Sequence, residues 1–226
     1  MPVLVFGEGA GMSGNNKDTE IVLGASNRSF GDTNTLTLRS PNFIYGLFRF
    51  ELSPIPTNAI LNSAVFTITE QAFLGAGNYL INRVLTNWGQ TLLSAGVTAN
   101  PAVLGQPSWD NAFDFNGAGD VGWAAGVGVG FGAGDFTALA EDTQAIPGVG
   151  LTANFNLLTM IQDMVTTPAL NYGFMVQSNT SGNNAIHSFE AVLPANRPYL
   201  TIDYTIPSTG ITRQSHTAIH NGIAIM

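Results

Sequence analysis

Apolar and polar residues alternate with a period of two along most of the chain. Leu36 and Leu38 alternate with Thr35 and Thr37, Phe48, Phe50 and Leu52 with Arg49 and Glu51, and Ala64, Phe66 and Ile68 with Thr67 and Thr69. The pattern returns near the end, where Tyr172, Phe174 and Val176 alternate with Gly173 and Gln177, and Leu200, Ile202, Tyr204 and Ile206 with Thr201, Asp203 and Thr205. Successive side chains of a strand point to opposite faces, so each run predicts a strand with one face buried. Helical spacing is confined to Asn154–Val165, where Leu157, Leu158, Ile161, Met164 and Val165 fall on one face and Pro168 follows. Many short strands punctuated by Gly, Pro, Asn and Asp, with one short helix, predict an all-β fold: a jelly-roll β-sandwich of antiparallel strands, with a closed barrel as the alternative.

Two segments break the rhythm. Between Gly117 and Gly134 eight of eighteen residues are glycine, more backbone freedom than a strand tolerates, which predicts a long loop or insertion. After the last alternating run, Pro207–Gly210 reads as a hinge leading to a tail with no place in a closed sandwich. The expected organisation is an N-terminal arm over 1–17, a sandwich over 18–206 and a tail over 207–226.

Composition narrows the function classes. The 226 residues are 45% hydrophobic and 10% charged, enough apolar material for one core without disulfides or a structural metal. Seven basic side chains against fifteen acidic ones leave a net charge of −8, and Lys17 is the single lysine, so no basic patch exists to neutralise phosphates and no nucleic-acid partner is expected. No run is long and apolar enough for a membrane span. The absence of cysteine removes thiol chemistry and Cys-based zinc sites together. Met1–Glu8 has no basic stretch followed by a long apolar one, so no cleavable export signal is expected.

Candidate chemistry is sparse. Gly117, Gly119 and Gly122 match the spacing of a dinucleotide fingerprint but lack the flanking strand and helix that give it meaning. No Gly-x-Ser-x-Gly elbow occurs, and a catalytic triad would rest on His187, because His216 and His220 lie in the tail. Asp110, Asp114, Asp120 and Asp135 are the acids from which a glycosidase pair would be drawn, and loop acids of this kind also serve as turn residues or calcium ligands. The four-residue spacing of His216 and His220 supplies two metal ligands where a site needs more. No enzyme activity, metal or cofactor is expected. Trp88, Trp109 and Trp123 cluster in or beside the mid-chain irregular region; they either stack on a sugar or plug the end of the core, and both readings stand at this level.

The run Gly46-Leu-Phe-Arg-Phe-Glu-Leu-Ser-Pro-Ile-Pro56, continuing through Ala59-Ile60 to Ser63-Ala64-Val65, resembles the signature of the DNRLRE-domain family, with Glu51 where that family carries aspartate. Asp18-Thr-Glu-Ile-Val22, and Phe30-Gly31 with Leu36, are similar to its opening strands; Val84–Trp88, Ser108–Asp110 and Gly134-Asp135 are similar to its central region; Tyr172–Phe174, His187–Glu190 and Arg197–Thr201 resemble its closing strands. The resemblance spans about residues 15 to 206. It implies a jelly-roll module, mostly non-catalytic, of bacterial surface and secreted proteins, some members of which bind carbohydrate.

A surface-module fold without an export route and with extensions at both ends leads to a functional expectation: a non-enzymatic virion structural protein of a tailed bacteriophage, a capsid decoration or cement protein assembled in the host cytoplasm. Its terminal arms would contact neighbouring subunits, with Ile211, His216, Ile219, His220, Ile223, Ile225 and Met226 forming a partner-binding tail, and its partners would be the major capsid protein or fibre and tail components. A homotrimer is expected by analogy with viral jelly rolls. The alternative is a carbohydrate-binding module of a surface or fibre protein, with Trp88, Trp109 and Trp123 against a host glycan.

Overall fold

The computed structural model describes residues 2–7, 16–23, 30, 33–39, 44–89, 106–113, 119–126 and 128–207. The tail positions Ile211, His216, Ile219, His220, Ile223, Ile225 and Met226, and the loop acid Asp114, lie outside the described residues.

Thirteen strands occur among the described residues: β1 (Val3–Phe6), β2 (Lys17–Val22), β3 (Thr35–Leu38), β4 (Ile44–Arg49), β5 (Ile60–Ala72), β6 (Asn78–Arg83), β7 (Asn111–Phe113), β8 (Val121–Gly122), β9 (Asp142–Ala145), β10 (Thr152–Asn156), β11 (Phe174–Ser178), β12 (Asn184–His187) and β13 (Tyr199–Thr205), with one helix, α1 (Leu158–Thr166). All pairings are antiparallel. In sheet one β3 pairs with β12, β12 and β13 pair with successive stretches of β5, and β10 also pairs with β5. Sheet two runs β4-β11-β6-β9. With β12 and β13 taken as one strand, the eight strands counted along the chain read 1-8-3-6 in one sheet and 2-7-4-5 in the other. That succession, in which the chain keeps crossing between two layers, is a jelly roll. β1 extends sheet one beside β13, and β2 extends sheet two beside β4.

The alternation seen in the sequence is the alternation of the inner faces. Ala64, Phe66 and Ile68 of β5, Leu36 and Leu38 of β3, and Leu200, Ile202 and Tyr204 of β13 meet Phe48 of β4, Tyr79 and Ile81 of β6 and Phe174 and Val176 of β11 in one core. At its centre Phe66 packs edge-on to Phe174, with centroids 4.8 Å apart, and Phe48 and Phe50 each meet Phe189 near 90°. These offset and perpendicular contacts add to the burial of the rings.

Two elements differ from the sequence reading. Residues 3–6, which four successive apolar side chains had left without alternation, form β1 within sheet one instead of a free arm. The helix begins at Leu158, because Thr152, Asn154 and Asn156 alternate with buried Ala153 and Phe155 and belong to β10. α1 then turns Met160, Ile161, Met164 and Val165 into the end of the core. Its Gln162 accepts a hydrogen bond from Leu61 N (2.8 Å) and donates to Ala59 O (3.1 Å), tying the helix to the start of β5.

In sheet two, β4 and β11 are buried on both faces. The sheet's outer side chains Ile21, Tyr45, Leu47 and Met175 form a second cluster with Val84, Trp88, Ala112, Trp123 and Phe131. The irregular region therefore roofs sheet two, with the β7–β8 pair inside it. Gly130, at φ +91°, passes over the Trp109 indole so closely that a Cβ would lie 2.4 Å from Nε1. Gly173, at φ +79°, leads into β11 where a Cβ would lie 2.0 Å from the Phe48 carbonyl oxygen. Both positions demand glycine for space and for backbone conformation.

Candidate functional site

Trp88 and Trp123 belong to the roof core, at 1% and 2% exposure. Trp88 Nε1 donates to Tyr172 O (2.6 Å) and Trp123 Nε1 to Ser108 O (3.1 Å), so each indole is apolar packing with its one donor satisfied. Neither presents a ring face to solvent. Trp109 is half-buried, its ring stacked on Tyr45 with centroids 6.2 Å apart. The three indoles are thus brought into one layer, and Trp109 alone retains exposed surface.

Asp135, fully buried, accepts from Thr86 Oγ1 (2.9 Å), Ala124 N (2.6 Å) and Gly132 N (3.0 Å) and so staples three parts of the roof. Asp120 accepts from Asn111 Nδ2 (3.2 Å). Backbone N–H groups from Gly132 and Ala124 converge on this one buried carboxylate and tie the roof together. His187 Nε2 lies 3.3 Å from Asn196 Nδ2, and partial burial pushes its pKa down. Among the described residues no three His, Asp or Glu side chains are grouped as a metal would need, and no helix is long and apolar enough to cross a membrane.

Several carboxyls are instead buried between the sheets. β2 turns Asp18 and Glu20 inward, where Asp18 Oδ2 accepts from Phe189 N (2.8 Å) and Glu20 Oε2 from Thr37 N. Burial, reinforced by the neighbouring Glu190, holds the Asp18 carboxyl well above the usual range, and burial pushes Glu190 up as well. Glu20 is pushed up to about 7 by burial against the pull of the Thr37 N–H. At the other end of the core Glu70, 1% exposed, takes a 2.6 Å hydrogen bond from Tyr79 Oη, and burial pushes it up to about 7. These acids join strands to the opposite layer, and burial favours their protonated forms.

A pocket of about 240 Å³ lies between the β4–β5 connection and the C-terminal end of α1. Buried Phe50, Leu52, Ile55, Met164 and Val165 supply apolar walls, and Arg49, Glu51, Ser53, Thr57 and Asn171 add polar groups. The connection is held in place from both sides: Asn171 Nδ2 donates to Phe50 O (2.8 Å), Asn16 Oδ1 accepts from Glu51 N (2.7 Å), and Glu51 Oε1 accepts from Ser53 N (3.1 Å). Arg49 donates to Asn87 Oδ1 (3.0 Å). Lys17 is its cross-strand partner in register, with Nζ 5.2 Å from the centroid of the Trp88 ring; burial first, then the Arg49 charge, pushes Lys17 down to about 8. Sequence reasoning missed this pocket. Its residues come from a turn and a helix end more than a hundred positions apart, and Ser53-Pro-Ile-Pro56 was visible only as part of a family-like run.

No protein-family model matches the chain, and no curated protein matches it.

Proposed function

We propose that the protein is a non-enzymatic structural component of a bacteriophage virion, a capsid decoration or cement protein that assembles in the host cytoplasm and contacts the major capsid protein or fibre and tail components as a homotrimer. The carrying observation is the edge of sheet one. β1 is the outermost strand of that sheet among the described residues, and it turns Val3 and Val5 outward at 57% and 46% exposure. An edge strand with apolar outward side chains is a template for strand addition by a partner. The net charge of −8 keeps free copies apart until they meet a complementary surface. The resemblance to non-catalytic surface modules supports a role in attachment, and the acids of the roof serve as structural ties.

The test is co-sedimentation of the purified protein with capsids, with and without Val5→Asp. Binding that falls at least tenfold in the variant supports this reading; no affinity for any virion component ends it.

A second reading, carbohydrate binding, is favoured by the outer face of sheet one. There Thr152, Asn154 and Asn156 of β10 are exposed, and the register sets Asn154 level with Thr67 and Tyr199, and Asn156 level with Val65 and Thr201. A flat field of amides and hydroxyls with one tyrosine suits a hydroxyl-rich polymer. Glycan-array binding that is lost in Tyr199→Ala and kept in Trp123→Ala would place it on this face.

A further inference from the structure

The pocket between the β4–β5 connection and α1 has apolar walls and a polar mouth, and three observations bear on what fills it. The first is its lining. Leu52, Ile55, Met164 and Val165 are each at most 5% exposed and still border about 240 Å³ of space, a volume suited to one or two aliphatic side chains with a polar backbone lying across exposed Ser53 and Thr57.

The second is where the chain leaves the sandwich. Thr205, the last residue of β13, is level with Ile60, the first residue of β5, and its hydroxyl reaches Ile60 O (3.4 Å). Ile60 follows directly on the connection that forms the pocket, and Gln162 ties the flanking Ala59 and Leu61 to α1. The described chain therefore reaches Pro207 at the end of the sandwich on which the pocket opens.

The third is the chemistry of the segment that follows. Positions 208–226 hold Ile211, Ile219, Ile223 and Ile225, one arginine and no acid, which leaves six basic against fifteen acidic side chains, or −9, on residues 1–207. A weakly basic, isoleucine-bearing segment complements the acidic body as a whole, while the pocket's own polar rim carries Arg49 as well as Glu51. Nineteen extended residues span roughly 60 Å, far enough to leave one molecule and enter the next.

We infer that the pocket is the receptor for the C-terminal segment of a second copy of this chain, with an isoleucine seated on Ile55, Met164 and Val165 and Arg213 drawn toward Glu51. This inference rests on the assembly reading and specifies its copy-to-copy contact: a segment exchanged between subunits, in which each molecule both gives and receives an anchor.

The chain has no cysteine, so single cysteines report proximity without background. Full-length Thr57→Cys, at the pocket mouth, is mixed with full-length Ile223→Cys carrying an affinity tag, under mild oxidant. Thr57 is exposed, so neither this change nor Thr57→Trp disturbs the core. The expected result is a disulfide-linked heterodimer at least tenfold more abundant than the one formed by Thr152→Cys, on the outer face of sheet one, with the same tail variant. Thr57→Trp is expected to weaken self-association in sedimentation velocity by a similar factor. No cross-link from Thr57→Cys to position 219, 223 or 225 overturns the inference, and so does a link that forms only within one chain of the double variant. Capsid binding retained without the cross-link removes this inference alone; the cross-link without capsid binding removes the virion reading alone.

Discussion

Glu70 sits at the end of an otherwise apolar series on β5, after Ala64, Phe66 and Ile68, with Oε2 bonded to Tyr79 and Oε1 unpartnered. A charge there would be buried without a counter-ion, so the protonated form is the stable one. The folded state holds that proton more tightly than the unfolded chain, whose carboxyl loses it near 4.5. The stabilisation is whole below about pH 4.5 and is lost as pH rises through about 7. Glu20 follows the same course, and Asp18 and Glu190 act with the same sign. The thermal midpoint is expected to fall between pH 5 and pH 8, and Glu70→Gln to make that fall shallower, as read by calorimetry across the range. A midpoint that rises with pH would show these acids to be ionised in the fold. None of this was legible in the sequence, where Glu70 continues a strand pattern like any polar residue; only the stacking of β6 on β5 brings Tyr79 to it.

The roof is the element that composition misread least and pattern could not draw. Glycine density marked residues 117–134 as loop, and tryptophans marked the region as either platform or plug. What no local pattern carried is that β4 and β11 are buried on both sides, so their apolar runs need a cover that only a distant segment supplies. Asp135 holds that cover by three hydrogen bonds. Removing it leaves Thr86 Oγ1 and two backbone N–H groups without their acceptor, at a cost of about 2–4 kcal/mol on the usual scale for buried polar groups. Asp135→Ala is expected to expose Trp123 and Trp88, shifting tryptophan fluorescence to the red well before the far-ultraviolet signal of the sandwich is lost; coincident transitions would mean that roof and sandwich melt as one. The strands themselves were far more readable. Period-two alternation located the inner faces of β3, β5, β11 and β13, and it failed at β1 and β10, where apolar residues run together or a helix pattern adjoins.

At the scale of the molecule, the jelly roll joins residues far apart in the chain: β3 lies against β12, and β1 against β13. Such non-local pairing slows folding. It also determines where the two chain directions emerge. Pro2 accepts a hydrogen bond through its carbonyl from Tyr204 N (3.3 Å), so the start of β1 and the end of β13 stand side by side. A permutant that links residue 207 to residue 2 by a short glycine-serine bridge and opens the chain at Leu139, 84% exposed, is expected to keep the circular-dichroism spectrum and cooperative melting of the parent. Loss of a cooperative transition would mean that closure depends on something beyond those neighbours.

That neighbouring entry and exit gives the particle a polarity of its own. Whatever is attached through residue 2 or residue 207 is attached at a single pole, and the antipodal turns, with Leu74, Val149 and Leu151 at their crests, face away from the tether. A lattice built from such units would present one uniform outer skin, and any cargo inserted at those crests would be displayed on all of them alike.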